Sequence, residues 1–284
     1  MCGTPTLLDV ENGGLPLARI CGSAFAAVLL VMALATWTSV TFAADGCSAS
    51  AAEISTDRPD VTNSSRVVPY GSLQVENGVD WTVSQGSNVV SGTETRIRLG
   101  IAQCTEVLAD VPTYFYSLNG RASSGFSDLV VSVKRELPVP FGFHLSATSG
   151  LGFPTGASKI SSHGYDPYIQ FPWSRRISDN WSLHGMFTVT WFTSQHVNNP
   201  TFEPTLSLER EFGSTHDLFV EYVGDYPIHA RPSHILDVGG SWLVTRLEQI
   251  DFHAGFGLNS SSPDHFVGIG YSFRLDGLFR RAGI

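Results

Sequence analysis

The chain has 284 residues, with 26 acidic and 17 basic side chains for a net charge of −9, and 42% of it is apolar. That acidic balance argues against a nucleic-acid role. No apolar run after Ala44 is long enough for a transmembrane helix, so a membrane role has to come from strands closed into a barrel.

At the N-terminus, Arg19 precedes an apolar run from Ile20 to about Ala35, and Thr41-Phe42-Ala43 gives a small-residue cleavage context before Ala44. Residues 1–43 therefore read as a secretory signal peptide, with an uncleaved helix as the alternative. The stretch ahead of Arg19 is unusually long and carries Asp9 and Glu11, which implies an extended leader or a start codon placed too far upstream. Cleavage would remove Cys2 and Cys21 and leave Cys47 and Cys104. Cys104 falls in the first tight turn, on the same rim as the mature N-terminus and in an oxidising compartment, so a Cys47–Cys104 disulfide competes with two free thiols.

Residues 44–69 are polar and lack a strand period. They form either a flexible periplasmic leader or a segment that folds back into the barrel. The second reading is favoured, because an inert leader needs no particular sequence; it would pair Asp57, Arg58 and Asp60 with lumen charges and narrow the pore.

Twelve segments then alternate apolar with polar residues: 70–84, 92–103, 105–116, 127–137, 141–151, 165–176, 180–192, 201–211, 215–224, 233–243, 247–257 and 264–274. Each has about the length of a tilted transmembrane strand. The connections after even-numbered segments are short. Those after odd-numbered segments are longer and rich in Gly, Ser, Asn and Pro, so one rim carries tight turns and the other long loops. This predicts an all-β fold: a single antiparallel transmembrane β-barrel of about 12 strands over 70–274, with short periplasmic turns, long extracellular loops and a C-terminal tail at 275–284. Phe273 occupies the terminal aromatic position that barrel-assembly machinery reads, yet the chain continues through Arg280-Arg281 to Ile284, so that signal is internal or the tail folds aside.

Trp181 and Trp191 share parity ten residues apart, with Leu183, Phe187 and Val189 between them. Ten residues of tilted strand rise about 25 Å, the height of an outer-membrane apolar band with aromatic girdles at its edges. Arg135, Arg175, Arg210 and Glu248 share parity with the apolar face but fall close to tight turns, where they can snorkel to head groups.

The opposite parity gives candidate pore-lining residues Glu76, Asp80, Glu94, Arg96, Arg98, Asp128, Lys134, Glu209, Glu221, Asp237, Asp251 and His253. Adding Glu136, Asp166, Asp217 and Arg274, inward acids outnumber inward bases, which predicts a cation-favouring lumen. His144 and His184 share this parity and read as polar lining. No metal site, cofactor or catalytic residue is expected, since serine-hydrolase elbows, zinc motifs, Cys-x-x-Cys pairs and phosphate loops are all missing.

The run Ile54-Ser-Thr-Asp-Arg-Pro-Asp-Val-Thr-Asn-Ser-Ser-Arg-Val-Val-Pro-Tyr-Gly-Ser-Leu-Gln-Val-Glu-Asn-Gly78 resembles the opening signature of the outer-membrane transporters grouped as "MetA-pathway of phenol degradation". Glu94-Thr-Arg-Ile-Arg-Leu-Gly-Ile, Gly125-Phe-Ser-Asp-Leu-Val-Val-Ser-Val-Lys and Val267-Gly-Ile-Gly-Tyr-Ser-Phe extend the resemblance over nearly all of the mature chain. It implies a bacterial outer-membrane barrel with a transport role and brings no catalytic residues. Its expected partners are outer-membrane lipid, the assembly machinery and a small-molecule solute, with aromatic compounds suggested by the family label alone. A structural or adhesive barrel, or a lipid-modifying enzyme, is the alternative.

Overall fold

A computed structural model describes residues 52–194 and 197–279; the signal region, Cys47 and Arg280-Arg281 lie outside the described residues. The chain folds as β1 (Leu73–Ser84), β2 (Ser87–Gly92), β3 (Arg96–Ala102), β4 (Thr105–Asp110), β5 (Tyr114–Ser117), β6 (Gly125–Phe126), β7 (Leu129–Leu137), β8 (Phe143–Phe153), β9 (Asp166–Ser178), β10 (Trp181–Ser194), β11 (Val197–Phe212), β12 (His216–Pro227), β13 (Ser233–Thr245), β14 (Glu248–Gly257) and β15 (His265–Leu275). Twelve of these are the staves of one antiparallel barrel in the order β15-β14-β13-β12-β11-β10-β9-β8-β7-β4-β3-β1. The barrel closes by pairing β1 with β15 over eleven positions, from Leu73↔Leu275 to Val83↔His265. Closure leaves no free sheet edge. The short β2, β5 and β6 continue the staves of β3, β4 and β7 above the band and pair with β1 and with one another.

Burial is inverted relative to a water-soluble protein. Glu76, Arg98, Glu106, Glu221, Asp237 and Asp251 are 0% exposed, whereas Ile269 is 60% and Phe252 54% exposed. Only a hydrocarbon surround makes that arrangement favourable, since exposed apolar area of this extent in water would forfeit about 25 cal/mol per Å². A β-sandwich would bury the opposite parity. Phe187 stacks on Phe202 within the outward band, with ring centroids 6.2 Å apart. At the short-turn rim Arg175 lies 4.9 Å over Phe143 and Arg210 lies 5.3 Å over Trp181.

Two connections differ from expectation. The loop predicted at 85–91 is a two-residue hairpin, with Gln85 and Gly86 at φ of 49° and 78° and β2 beginning at Ser87. Paired positive φ values are what a type I′ turn needs, and the polar Ser87, Asn88 and Ser91 disguise the strand that follows. Of the loop predicted at 193–200, the described residues are strand: β10 runs to Ser194 and β11 starts at Val197, and the Asn-Asn-Pro composition hides this because above the bilayer neither face requires apolar residues. The remaining connections on that rim, after β5, β8, β12 and β14, are loops. On the other rim the described part of the tail, up to Phe279, folds aside: Leu278 N donates to Gly71 O at 2.7 Å, and Phe279 packs on Tyr70.

Candidate functional site

The barrel interior is filled by the residues that precede β1. The segment enters at the short-turn rim, where Ile54 N donates to Arg246 O at 2.8 Å and Arg274 Nη1 donates to Glu53 O at 2.8 Å. It leaves at the same rim, where Gly71 N donates to Gly100 O. Between these points most of it is hydrogen-bonded to inward-facing side chains, which is why a polar segment without a strand period can be ordered.

Asp57 sits at one side of the lumen against β3 and β7. Its carboxylate lies 3.0 Å from Lys134 Nζ and 3.2 Å from both Arg98 Nη1 and Arg96 Nη1. Burial alone would raise this carboxyl, but Arg98, Lys134 and Arg96 hold it well below the usual carboxylate range. Arg98 continues to Glu76 at 3.0 Å and Glu106 at 2.9 Å, and Arg96 to Asp110 at 2.6 Å, so the anchor is a network.

Arg58 reaches a second cluster. Its guanidinium lies 2.9 Å from Glu94, 3.6 Å from Asp251 and 3.8 Å from Asp80. The space it occupies is made by Gly78 on β1 and Gly270 on β15, where a Cβ would overlap the guanidinium. His253 bridges Asp237 at 3.0 Å and Asp80 at 3.3 Å beside this group.

Across the lumen, Glu221 on β12 accepts from Val61 N at 2.8 Å and Thr62 N at 2.9 Å. Asn63 then donates to Gln170 at 3.1 Å, Ser65 meets Ser174 at 2.7 Å and Arg66 meets His144 at 2.9 Å. Val67 N and Val68 N end on the carboxylates of Glu136 and Glu106. The segment thus touches β1, β3, β4, β7, β8, β9, β11, β12 and β14.

Asp60 does not find the lumen cation expected for it. Withdrawal from water, together with Glu221, Glu209 and Asp237 nearby, pushes its carboxyl well above the ordinary range. It belongs to a wall of different character: Glu203, Glu209, Asp217, Glu221 and Asp225 share inward parity on β11 and β12, and among the described residues none of them pairs with Arg or Lys. The nearest cationic candidate is His184, 3.7 Å from Glu209. Between the segment and this wall lies a cavity of about 620 Å³, lined by hydroxyl groups with His184, Glu209, Asp217 and Phe219 and also by Arg66, Arg176 and Glu211.

Of the residues singled out by parity, Glu76, Asp80, Arg96, Arg98, Lys134, Asp237, Asp251 and His253 meet in these networks with Glu94. Asp128 is taken up elsewhere: its carboxylate accepts from Gly156 N, Ser161 Oγ and Ser162 N and fastens the β8–β9 loop. Parity reasoning missed Glu106, Asp110, Glu203, Asp225 and Arg66. The signal for Glu106 and Asp110 was their common parity on β4, masked by Leu108, an inward apolar residue 3% exposed. Cys104 is disulfide-bonded; Cys47, its expected partner, lies outside the described residues.

Residues 56–275 match the family model described as "Putative MetA-pathway of phenol degradation". The chain belongs to this family. Among solved structures it resembles an outer membrane channel from Pseudomonas putida F1, with a TM-score of 0.59 and 13% identity over 77% of this chain and 99% of that one. The NanC porin follows, with a TM-score of 0.53 and 9% identity over 72% of this chain and 100% of that one. The KdgM porin gives 0.50 and 10% over 70% and 98%. At these identities the likeness is one of fold, and it places this family member among transmembrane β-barrels of the outer-membrane type. No curated protein sequence matches the chain.

Proposed function

We propose that the protein is an outer-membrane channel for small solutes whose lumen is closed at rest by the segment preceding β1. The observation that carries this reading is the anchoring of residues 54–69 to nine staves through Asp57, Arg58, Thr62, Asn63, Arg66 and Val68. A twelve-stranded barrel is wider than one filled by its own side chains, so an inserted segment is what limits the opening. Passage then requires that segment to shift toward the short-turn rim, where both its ends are held.

Glu76, Asp80, Glu94, Arg96, Arg98, Lys134, Asp237, Asp251 and His253 act in this reading as the seat of the segment, while Glu209 and Glu221 belong to the path a solute takes. The unpaired acids along β11 and β12 favour cations and solutes that donate hydrogen bonds. The family description names phenol degradation, so aromatic small molecules are the first solutes to assay. A Cys47–Cys104 bond would tether the start of the segment to the β3–β4 turn.

The test is single-channel current in planar bilayers with and without residues 44–69. Deletion should raise conductance well above that of the full mature chain. A barrel that stays silent after deletion, or conducts equally with and without the segment, would overturn the reading.

A further inference from the structure

The outward face of the barrel carries a basic arc that the lumen does not need. Arg135 on β7, Arg175 on β9 and Arg210 on β11 have lipid-facing parity, and each falls two or three residues before its strand ends at the short-turn rim. They stand on every second stave, with Arg135 and Arg175 offset by four residues in register and Arg175 and Arg210 by two, so neighbouring members of the arc are about 16 and about 12 Å apart along the wall. No outward-parity position from β7 to β11 holds an acid. By contrast, the adjacent inward Arg176 has its own partner, Glu211, at 2.6 Å. The outward acid of this rim, Glu248 on β14, is satisfied by Tyr271 Oη at 2.8 Å on the far side of the barrel.

The aromatic neighbours fix how these guanidinium groups are presented. Arg175 lies 4.9 Å from the Phe143 ring, and Arg210 lies 5.3 Å from Trp181 and 4.9 Å from Phe212. A guanidinium held by its flat face on a ring keeps its N–H edge free for a planar or tetrahedral oxyanion. Arg135 spends one N–H on Thr105 Oγ1 at 3.1 Å and keeps the rest. The position is the level of the head groups, where a cation without a protein partner would otherwise only be hydrated.

We propose that Arg135, Arg175 and Arg210 form a binding site for the phosphate groups of anionic phospholipids in the periplasmic leaflet, holding one side of the barrel against that leaflet. The partner has to be membrane-borne, because the surface between the arginines and the band above them is apolar: Leu183, Phe187 and Val189 rise from Trp181 on the intervening β10. An acyl chain lies along those residues while its phosphate meets the arginines. Electrostatic attraction distinguishes anionic from zwitterionic lipid, by about fivefold for each basic residue at the surface.

Native mass spectrometry of the mature barrel, released from nanodiscs of equimolar phosphatidylglycerol and phosphatidylethanolamine, reads the preference directly. The wild type should retain phosphatidylglycerol in several-fold excess, and Arg175→Gln with Arg210→Gln should bring the ratio close to one. Arg121→Gln, on an extracellular loop, should leave it unchanged. The heat-dependent gel shift of each variant shows whether its barrel is closed, and Arg175→Gln alone gives an intermediate ratio if the pair folds poorly. Equal retention of the two lipids by the wild type, or an undiminished preference in folded Arg175→Gln and in the pair, would overturn the proposal.

Discussion

Replacing Asp57 by Asn is the most direct perturbation of the closed lumen. The side chain keeps its shape and its amide oxygen can still accept from Ser64 N, which lies 3.0 Å from Oδ1, so what is lost is the charge. Lys134 Nζ, 1% exposed as a side chain, then has only Glu106 at 3.7 Å, and Arg96 and Arg98 each lose a carboxylate at 3.2 Å. Removing one partner of a buried ion pair costs about 3–5 kcal/mol. Here the cations gain an escape that a protein core does not offer, because release of the segment admits water, so the lower end applies. About 3 kcal/mol shifts the ratio of closed to open lumen by roughly 150-fold. The strands carry the staves independently of this contact, so the gel shift should be preserved. In planar bilayers Asp57→Asn should therefore raise open probability strongly, toward the behaviour of the deletion of residues 44–69. If the deletion opens the barrel while Asp57→Asn is indistinguishable from the wild type, the ionic anchor does not hold the segment and the reasoning fails.

Asp60 should act with the opposite sign. Its carboxyl is raised in the seated state, so the seated state binds more protons; closure is favoured at low pH and weakened as pH rises from the ordinary carboxylate range through the raised value. Asp60→Asn should favour the closed lumen and flatten the rise of open probability with pH, by roughly tenfold per unit of pKa difference removed; an unchanged pH profile would refute this. Alkylation of the unreduced, unfolded protein should label neither Cys47 nor Cys104, and stoichiometric labelling of Cys47 would exclude their bond. In the barrel lacking residues 44–69, Glu203→Gln with Asp225→Asn should move the reversal potential in a salt gradient toward that of a non-selective pore, and a change toward greater cation preference would count against the acidic wall as the selectivity element.

The staves were legible because a bilayer and a wet lumen impose opposite demands on alternate residues. Val79 and Trp81 opposite Gln74, Glu76 and Asp80 leave little freedom of register. Where those demands lapse, so does legibility: above the bilayer, Ser87–Gly92 and Asn198-Asn199-Pro200 are strand without an apolar face. The inward face was read for sign but not for pairing. Asp251 and Glu94 looked like free lumen acids, yet both are claimed by Arg58, a contact set by a segment with no periodicity to place it. What could be read was the cost of leaving Asp57, Arg58 and Asp60 as an inert leader, and two of the three found opposite charges. Asp60 did not, because its neighbours come from β11, β12 and β13, whose acids are spaced by the barrel and not by the segment.

That failure divides the lumen into two functional halves. Around β14, β1, β3, β4 and β7 inward acids and bases form mixed clusters, and the segment adds one carboxylate to three cations and one guanidinium to three carboxylates. Such matching favours a seat with a single register, since a shift by one residue would place Arg58 against Arg98 and Lys134. Along β11 and β12 Glu203, Glu209, Asp217, Glu221 and Asp225 have no Arg or Lys partner among the described residues, and the segment contributes backbone amides to Glu221 and another carboxyl. This contact rests on hydrogen bonds to Glu221 without an Arg or Lys partner. A segment bound tightly on one side and loosely on the other opens first along the acidic wall, swinging on Asp57 and Arg58 instead of leaving as a unit. The first conducting path would then be bounded by the unpaired acids, so selectivity would be strongest at small opening and decline as the matched half is uncovered.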